Sequence, residues 1–302
     1  MFQTIVKIFL LVIITAAITP FIRKLAFVLG AVDNPNARRI NKKPMPTIGG
    51  LAIFVAFNIG EFVLLRKDFP THELFSVLLA SSVIILTGLI DDILELKPRQ
   101  KMFGIFVASL VVYFLAGIKV RELSLPFLGH IQLGWWSFPL TIFWILALTN
   151  AVNLIDGLDG LATGVTLISL VTMGIVGFFF LKSWQHYVPI MCIMLAACLL
   201  GFLPYNFHPA KIFLGDTGAL YIGFMISVLS LKGLKNVTFV SLLVPILILG
   251  VPITDTVYAM IRRKLNKKNI SQADKHHLHH QLMRMGLTHR QTVLAIYGIS
   301  LI

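Results

Sequence analysis

Long apolar runs separated by short polar stretches follow one another along almost the whole chain. The first runs from Thr4 to Leu29; the others lie near Ile48–Leu65, Leu74–Ile90, Met102–Ile118, Phe138–Thr149, Leu161–Leu181, Tyr187–Leu203, Thr217–Leu231 and Val237–Ile261. A helix that crosses a bilayer needs roughly 20 mostly apolar residues, so the pattern predicts about nine spans. The closing run, Gln291 to Ile302, is apolar but too short to cross, which predicts a tenth span cut short. Thr4 to Leu29 is too long for a signal-peptide core and lacks a small-residue cleavage pattern. The expected fold class is therefore all-α, a polytopic integral membrane protein of about ten transmembrane helices. One segment departs from this pattern. Lys119 to Trp136 alternates loosely around Gly129 and His130, which predicts a small exposed hairpin with Trp135 and Trp136 at the membrane interface. No internal repeat or soluble domain is legible, so residues 1–302 read as a single transmembrane domain.

Composition sharpens the picture. With 57% apolar and 13% charged residues and a mean hydropathy of +0.86, the 302 residues exclude a soluble secreted domain. Lys and Arg concentrate in the odd-numbered loops, among them Arg38, Arg39, Lys42, Lys43, Lys97, Arg99, Lys101, Lys211, Arg262 to Lys264, Lys267, Lys268, Lys275, Arg284 and Arg290. The positive-inside bias puts those loops in the cytoplasm and the N-terminus outside. The net charge of +13 then describes a basic cytoplasmic face suited to anionic lipid or a phosphorylated substrate. Nothing in the pattern asks for a nucleic-acid partner. Cys192 and Cys198 sit in one apolar run and read as small buried hydrophobes.

The chain has 13 Asp and Glu, and nine (Asp33, Asp91, Asp92, Glu95, Asp156, Asp159, Asp216, Asp255 and Asp274) fall on the cytoplasmic side. Asp91 and Asp92 end an apolar run, where charge is costly unless paired, hydrated or bound to a cation, and adjacent carboxylates repel. They either cap a span or share a metal or basic partner. The stretch Asn150 to Gly160 places Asn150, Asn153, Asp156 and Asp159 at every third residue, one stripe if helical, with Gly157 and Gly160 letting the backbone leave the helix. Such oxygen ligands suit Mg²⁺, which takes one or two carboxylates plus substrate phosphates. Phe213-Leu-Gly215-Asp216-Thr217-Gly218 opens the eighth span, where free amides favour phosphate and where Asp216 or Thr217 is expected to cap the helix. A last loop carries Asp274-Lys-His276-His277-Leu-His279-His280. Without nearby cysteine it reads less as a zinc set than as donors or proton relays facing a diphosphate.

These residues resemble the polyprenyl-phosphate N-acetylhexosamine-1-phosphate transferase family. Its marks are Gly30 to Arg38, Pro44-Met-Pro46-Thr-Ile-Gly49-Gly50, Asp91-Asp92, Asn150 through Gly160, Tyr205 through Gly218, and His277-Leu-His279-His280. The resemblance implies that undecaprenyl phosphate attacks the sugar-linked phosphorus of a UDP-N-acetylhexosamine and UMP leaves. It implies Mg²⁺, with Mn²⁺ as the alternative, held by Asn153, Asp156 and Asp216. It puts Leu158, Asp159 and Phe213 around uridine with Asn206 and Asn150 close by, Lys43 on the nucleotide, and His277, His279 and His280 on the diphosphate or sugar. Asp91 and Asp92, with Asp156, would do the catalytic work by orienting or deprotonating the lipid phosphate. The active site would be built at the cytoplasmic face of a bacterial plasma membrane from loops 30–47, 91–101, 150–160, 204–218 and 262–290. A homodimer is compatible with the family.

The spacing His-Leu-His-His, with Pro252-Ile-Thr-Asp255-Thr before the basic loop, resembles the branch that transfers GlcNAc-1-phosphate to start teichoic acid or other surface polysaccharides. The alternative branch, phospho-MurNAc-pentapeptide transfer, has three consecutive histidines. One departure is Asn41, where the GlcNAc branch commonly has His. From a different class, a proton- or ion-coupled transporter would need its acids near span midpoints, whereas these lie at span ends.

Overall fold

The computed structural model describes residues 2–34, 44–64, 66, 70–125, 129–180, 187–233, 250, 254, 258 and 278–301. Its main elements are helices: α1 (Phe2–Leu29), α2 (Gly50–Ile59), α3 (Thr71–Leu94), α4 (Pro98–Phe114), α5 (Ser137–Ile155), α6 (Leu161–Phe180), α7 (Tyr187–Asn206), α8 (Gly215–Gly233), α9 (Leu278–Arg284) and α10 (His289–Ser300). A π-helical turn (Gly60–Leu64) follows α2 and a 3-10 turn (Gly134–Trp136) precedes α5, and there are two short antiparallel pairs, β1 (Val32–Asp33) with β2 (Met45–Pro46) and β3 (Glu122–Leu125) with β4 (Gly129–Gln132). Five of the described helices are long and apolar enough to cross a membrane, at Gln3–Leu29, Thr71–Leu94, Gly134–Ile155, Leu161–Phe179 and Tyr187–Asn206. The chain is a polytopic all-α membrane protein. Phe9, Phe21 and Val28 on α1 turn their side chains outward, as a lipid-facing helix requires.

α8 is the axis of the bundle. Leu220, Tyr221, Ile222, Phe224 and Met225 are all buried, so this helix is apolar on every side because α2, α3 and α5 enclose it. Its first turn is approached by backbone alone. A Cβ on Gly50 would lie 2.0 Å from the Gly218 Cα, and one on Gly88 would lie 2.5 Å from the Thr217 Cα. Small residues at helix crossings allow such approach within a membrane. At the far end, Lys232 pairs with Glu73 and its ammonium lies 4.5 Å from the centre of the Tyr187 ring.

The hairpin predicted within Lys119–Trp136 is present, with Glu122 opposite Gln132 and Leu125 opposite Gly129, followed by exposed Trp135 and Trp136. Cys192 and Cys198 are buried free thiols. Several helices exceed their predicted spans, among them α7, which reaches Asn206 rather than stopping at Leu203, and α8, which covers Gly215–Gly233. α3 continues past Ile90 through both aspartates, and α5 reaches Ile155 rather than stopping at Thr149. Within that extension the Asn150 side-chain amide donates to the Leu146 carbonyl, 2.8 Å away. The closing apolar run forms α10, which packs against α6 through buried Val293 and Ile296. The predicted ninth span, Val237–Ile261, lies outside the described residues apart from positions 250, 254 and 258.

Candidate functional site

Two motifs far apart in sequence are joined here by backbone. The Phe213 amide donates to the Pro46 carbonyl (2.8 Å), and the Gly49 and Gly50 amides donate to the Phe213 and Leu214 carbonyls (3.1 and 3.0 Å). Gly215 follows at φ +72°, and a Cβ there would meet the Thr47 carbonyl oxygen at 1.5 Å. Only glycine combines that dihedral with that contact. The 44–50 segment thus fixes where α8 begins and where Asp216, in its first turn, points.

Around Asp216 the side chains converge from four helices. The Lys101 ammonium, near the start of α4, donates to Asp216 Oδ1 at 2.7 Å and also pairs with Asp91 Oδ2 on the last turn of α3. The Asn153 side-chain amide, near the end of α5, donates to the same Asp216 oxygen. Asp91 is buried and its Oδ1 accepts the Leu96 amide at 2.7 Å, which closes the end of its own helix.

Asp92 points elsewhere. Its two oxygens accept the Asp216 and Thr217 amides, both at 3.0 Å, and the Thr217 hydroxyl at 2.6 Å. The expected cap of α8 by Asp216 or Thr217 is corrected by this arrangement: the capping carboxylate comes from α3, across the glycine crossing, and Thr217 serves as donor. The adjacent acids also do not share one partner, because neighbouring positions on a helix face directions about 100° apart. Asp91 meets a lysine, and Asp92 meets a helix N-terminus whose partial positive charge offsets its own.

α5 ends at Asp156, which takes φ −75° and ψ 51°, outside the helical region. Because that ψ redirects the chain only after Asp156, the predicted polar stripe holds for Asn150, Asn153 and Asp156 and is lost at Asp159, beyond the turn. Loss of solvation, reinforced by the charges of Asp216, Asp92 and Asp159, pushes the Asp156 carboxyl well above the usual carboxylate range. A cation placed among these acids would relieve that repulsion. The donor set is hard: carboxylates from Asp156 and Asp216 and the carboxamide of Asn153, whose oxygen replaces its nitrogen when the amide turns over.

The remaining expected positions fall into three groups. Leu158 is buried in the turn after α5, Phe213 is half-buried, and Asn150 contacts the Met102 sulfur at 3.0 Å, beside Lys101. Asn206 is buried and committed to the fold: its oxygen accepts the Thr163 hydroxyl (2.7 Å) and its amide donates to the Ile212 carbonyl (3.2 Å). Lys43 and His277 lie outside the described residues, and His279 and His280 are described only as members of α9.

Two functional neighbourhoods escaped the sequence. Lys101 was one basic residue among many, and its two carboxylate partners come from α3 and from a position 115 residues away. The second surrounds Asp159, whose Oδ2 accepts His208 Nδ1 (2.8 Å) and the Ala210 amide (3.1 Å). His289, from α10, stacks on His208 with ring centres 4.2 Å apart, and ligand atoms of Asp159, His208 and His289 all lie within 4.8 Å of one another. Burial, together with His208, holds the His289 imidazole below its usual value, against the pull of Asp159.

Residues 74–234 match the family described as glycosyl transferase family 4. The chain is 45% identical over 287 residues to a probable undecaprenyl-phosphate N-acetylglucosaminyl 1-phosphate transferase of Bacillus subtilis, covering 94% of this chain and 78% of that protein. It is 35% identical to a decaprenyl-phosphate N-acetylglucosaminephosphotransferase of Mycobacterium tuberculosis, with 94% and 77% covered. It is 33% identical to a phospho-N-acetylmuramoyl-pentapeptide-transferase of Clostridium botulinum, with 85% and 81% covered.

Proposed function

The chain belongs to glycosyl transferase family 4, and from that premise we propose that it transfers N-acetylglucosamine-1-phosphate from UDP-GlcNAc to undecaprenyl phosphate, releasing UMP. The lipid diphosphate-sugar then starts teichoic acid or another cell-surface polysaccharide. The observation that carries the reading is the convergence of Asp216, Lys101, Asp91 and Asn153 at the N-terminal end of α8. A cation and an oxygen-donor set at one point suit a substrate made of phosphates.

Asn153, Asp156 and Asp216 would hold Mg²⁺, or Mn²⁺ in its place. When bound, the metal neutralises charge that develops on the departing UMP. Lys101, held by Asp91 and Asp216, presents its ammonium to the same diphosphate and keeps it oriented. Asp91 lies on the α3 side of that ammonium and is the carboxylate suited to meet the lipid phosphate. Asp92 contributes by holding the α8 terminus in register. Leu158, Asp159 and Phe213 frame the uridine, and His277, His279 and His280 would meet the diphosphate or sugar.

The basic loops support a site on the cytoplasmic face of a bacterial plasma membrane, in a chain of about ten spans with its N-terminus outside. The GlcNAc branch is favoured over muramoyl-pentapeptide transfer by the higher identity of its relative, 45% against 33%.

The test is UMP release by purified protein given undecaprenyl phosphate and Mg²⁺, with UDP-GlcNAc and UDP-MurNAc-pentapeptide compared. Turnover with UDP-GlcNAc alone is expected, whereas turnover with the pentapeptide alone would move the protein to the other branch. Asp216→Ala should lower release by about 10²–10³-fold, as for loss of a transition-state electrostatic contact, with the helical fold retained. Activity near wild type in that variant would sink the metal assignment.

A further inference from the structure

Helix α10 supplies nothing to the cluster around Asp216, yet it touches the nucleotide turn between α5 and α6 at both of its last residues. At Asp159 the contact runs through His208: its Nδ1–H donates to the Asp159 carboxylate, its ring is stacked by His289, and its carbonyl accepts Arg290 Nε–H at 3.2 Å. At Gly160 the contact is direct, because the Tyr297 hydroxyl donates to the Gly160 carbonyl oxygen. Gly160 sits at φ +79°, and the same carbonyl accepts the Gly164 amide at 2.9 Å to open α6. The Tyr297 ring lies flush on α6, such that a Cβ on Gly164 would fall 1.9 Å from its phenolic carbon and oxygen.

The spacing explains why one helix can do both. His289, Thr292, Val293, Ile296 and Tyr297 fall at three- and four-residue intervals and form one face. The middle three are buried against the bundle, so the two ends of that face are held in fixed relation. His289 Nε2 is inaccessible and has no hydrogen-bond partner, which is the cost of keeping the imidazole stacked rather than solvated. A helix whose only task was to complete the bundle would have no need of His, Arg and Tyr aimed at one turn.

We propose that α10 is the positioning element of the donor site: His289, Arg290 and Tyr297 brace the Asp156–Gly160 turn through His208 and Gly160, and so set affinity for the uridine nucleotide without entering the chemistry. The proposal rests on the assignment of Leu158 and Asp159 to the uridine pocket. It makes donor binding depend on a segment more than 120 residues downstream of that pocket. A braced turn needs no ordering when UDP-GlcNAc arrives, whereas an unbraced one spends part of the binding energy on ordering.

The experiment uses the full chain in detergent with undecaprenyl phosphate present. Tyr297→Phe keeps the ring and removes only the hydroxyl; Gly164→Ala keeps the hydroxyl and displaces the ring. Each should raise the KM for UDP-GlcNAc about tenfold, as expected for losing one hydrogen bond and loosening the turn, with kcat and the KM for undecaprenyl phosphate little changed. The defects of Gly164→Ala and Tyr297→Leu, each measured alone, should be less than additive when the two are combined, since the shorter side chain vacates the contested space. UMP binding, measured by calorimetry, should weaken in parallel. If Tyr297→Phe does not fold, Arg290→Gln tests the same brace from an exposed position.

Folded variants with unchanged donor KM and UMP affinity, beside an active wild type, would overturn the brace and leave the activity standing. A fall in kcat with equal rises in both KM values would also overturn it, because that is what loosening the whole bundle does. A wild-type protein that neither binds UMP nor turns over UDP-GlcNAc would overturn the uridine assignment and this proposal together.

Discussion

Asp91 and Asp92 are neighbours in sequence and do different work. Asp91 meets Lys101 and the amide that closes α3, and Asp92 meets the amides that open α8. If Asp92 acts as a cap, Asp92→Asn should keep part of its function, since a carboxamide oxygen still accepts one amide hydrogen bond. Asp92→Ala should lose about 1–2 kcal/mol of stability, the range for an N-cap deletion, together with most of the activity. Thermal melting and kcat on the two variants check this. Equal inactivity of Asn and Ala, at unchanged melting temperature, would return Asp92 to the role of proton acceptor. The acids themselves were legible in the sequence because a carboxylate at the end of an apolar run is rare and expensive. Their partners were not. Nothing at position 101 distinguishes Lys101 from Lys97 or Arg99, and only the crossing of α3, α4 and α8 selects it.

At the scale of elements, the site depends on how close α2 and α3 come to the first turn of α8. Hydropathy finds a span readily and its ends poorly: α3 and α5 both extend past their apolar runs, because Asp91, Asp92, Asn150 and Asn153 find partners that keep them helical or tolerated there. Those extensions are what carry the polar groups into the site. The glycine crossing left a sequence trace in Gly50, Gly88 and Gly218, but the pairing of these three positions is a matter of packing. Gly88→Ala puts a methyl carbon 2.5 Å from the Thr217 Cα, where no side chain can yield. α8 must shift, and Asp92 loses its register with the Asp216 and Thr217 amides. The expected result is a loss of about 1–3 kcal/mol, as for overpacking elsewhere, and a larger loss of activity than of stability. Gly104→Ala is the comparison, because the three atoms nearest its methyl belong to the Thr87 side chain rather than to the α8 backbone. Similar activity in the two variants would mean that the crossing does not control the site.

For the whole molecule, the geometry gives the bundle two unlike ends. The end of α3, the starts of α4 and α8 and the end of α5 gather at the acids, while the β3–β4 hairpin joins α4 to α5 at the other end, along with the Lys232–Glu73 pair. The first of these ends carries Lys97, Arg99 and Lys101 at the start of α4 and Lys211 before α8, so the positive-inside bias and the demand of an anionic substrate point the same way. That agreement is testable by labelling. Cys192 and Cys198 are buried, so single cysteines introduced at exposed Arg99 and Arg121 report without interference. A membrane-impermeant maleimide should label Arg121→Cys on intact cells and Arg99→Cys only after the membrane is opened. The reverse pattern would put the acids outside the cell. A charged nucleotide sugar made in the cytoplasm would then have no path to them, and the proposed donor would have to be abandoned with the orientation.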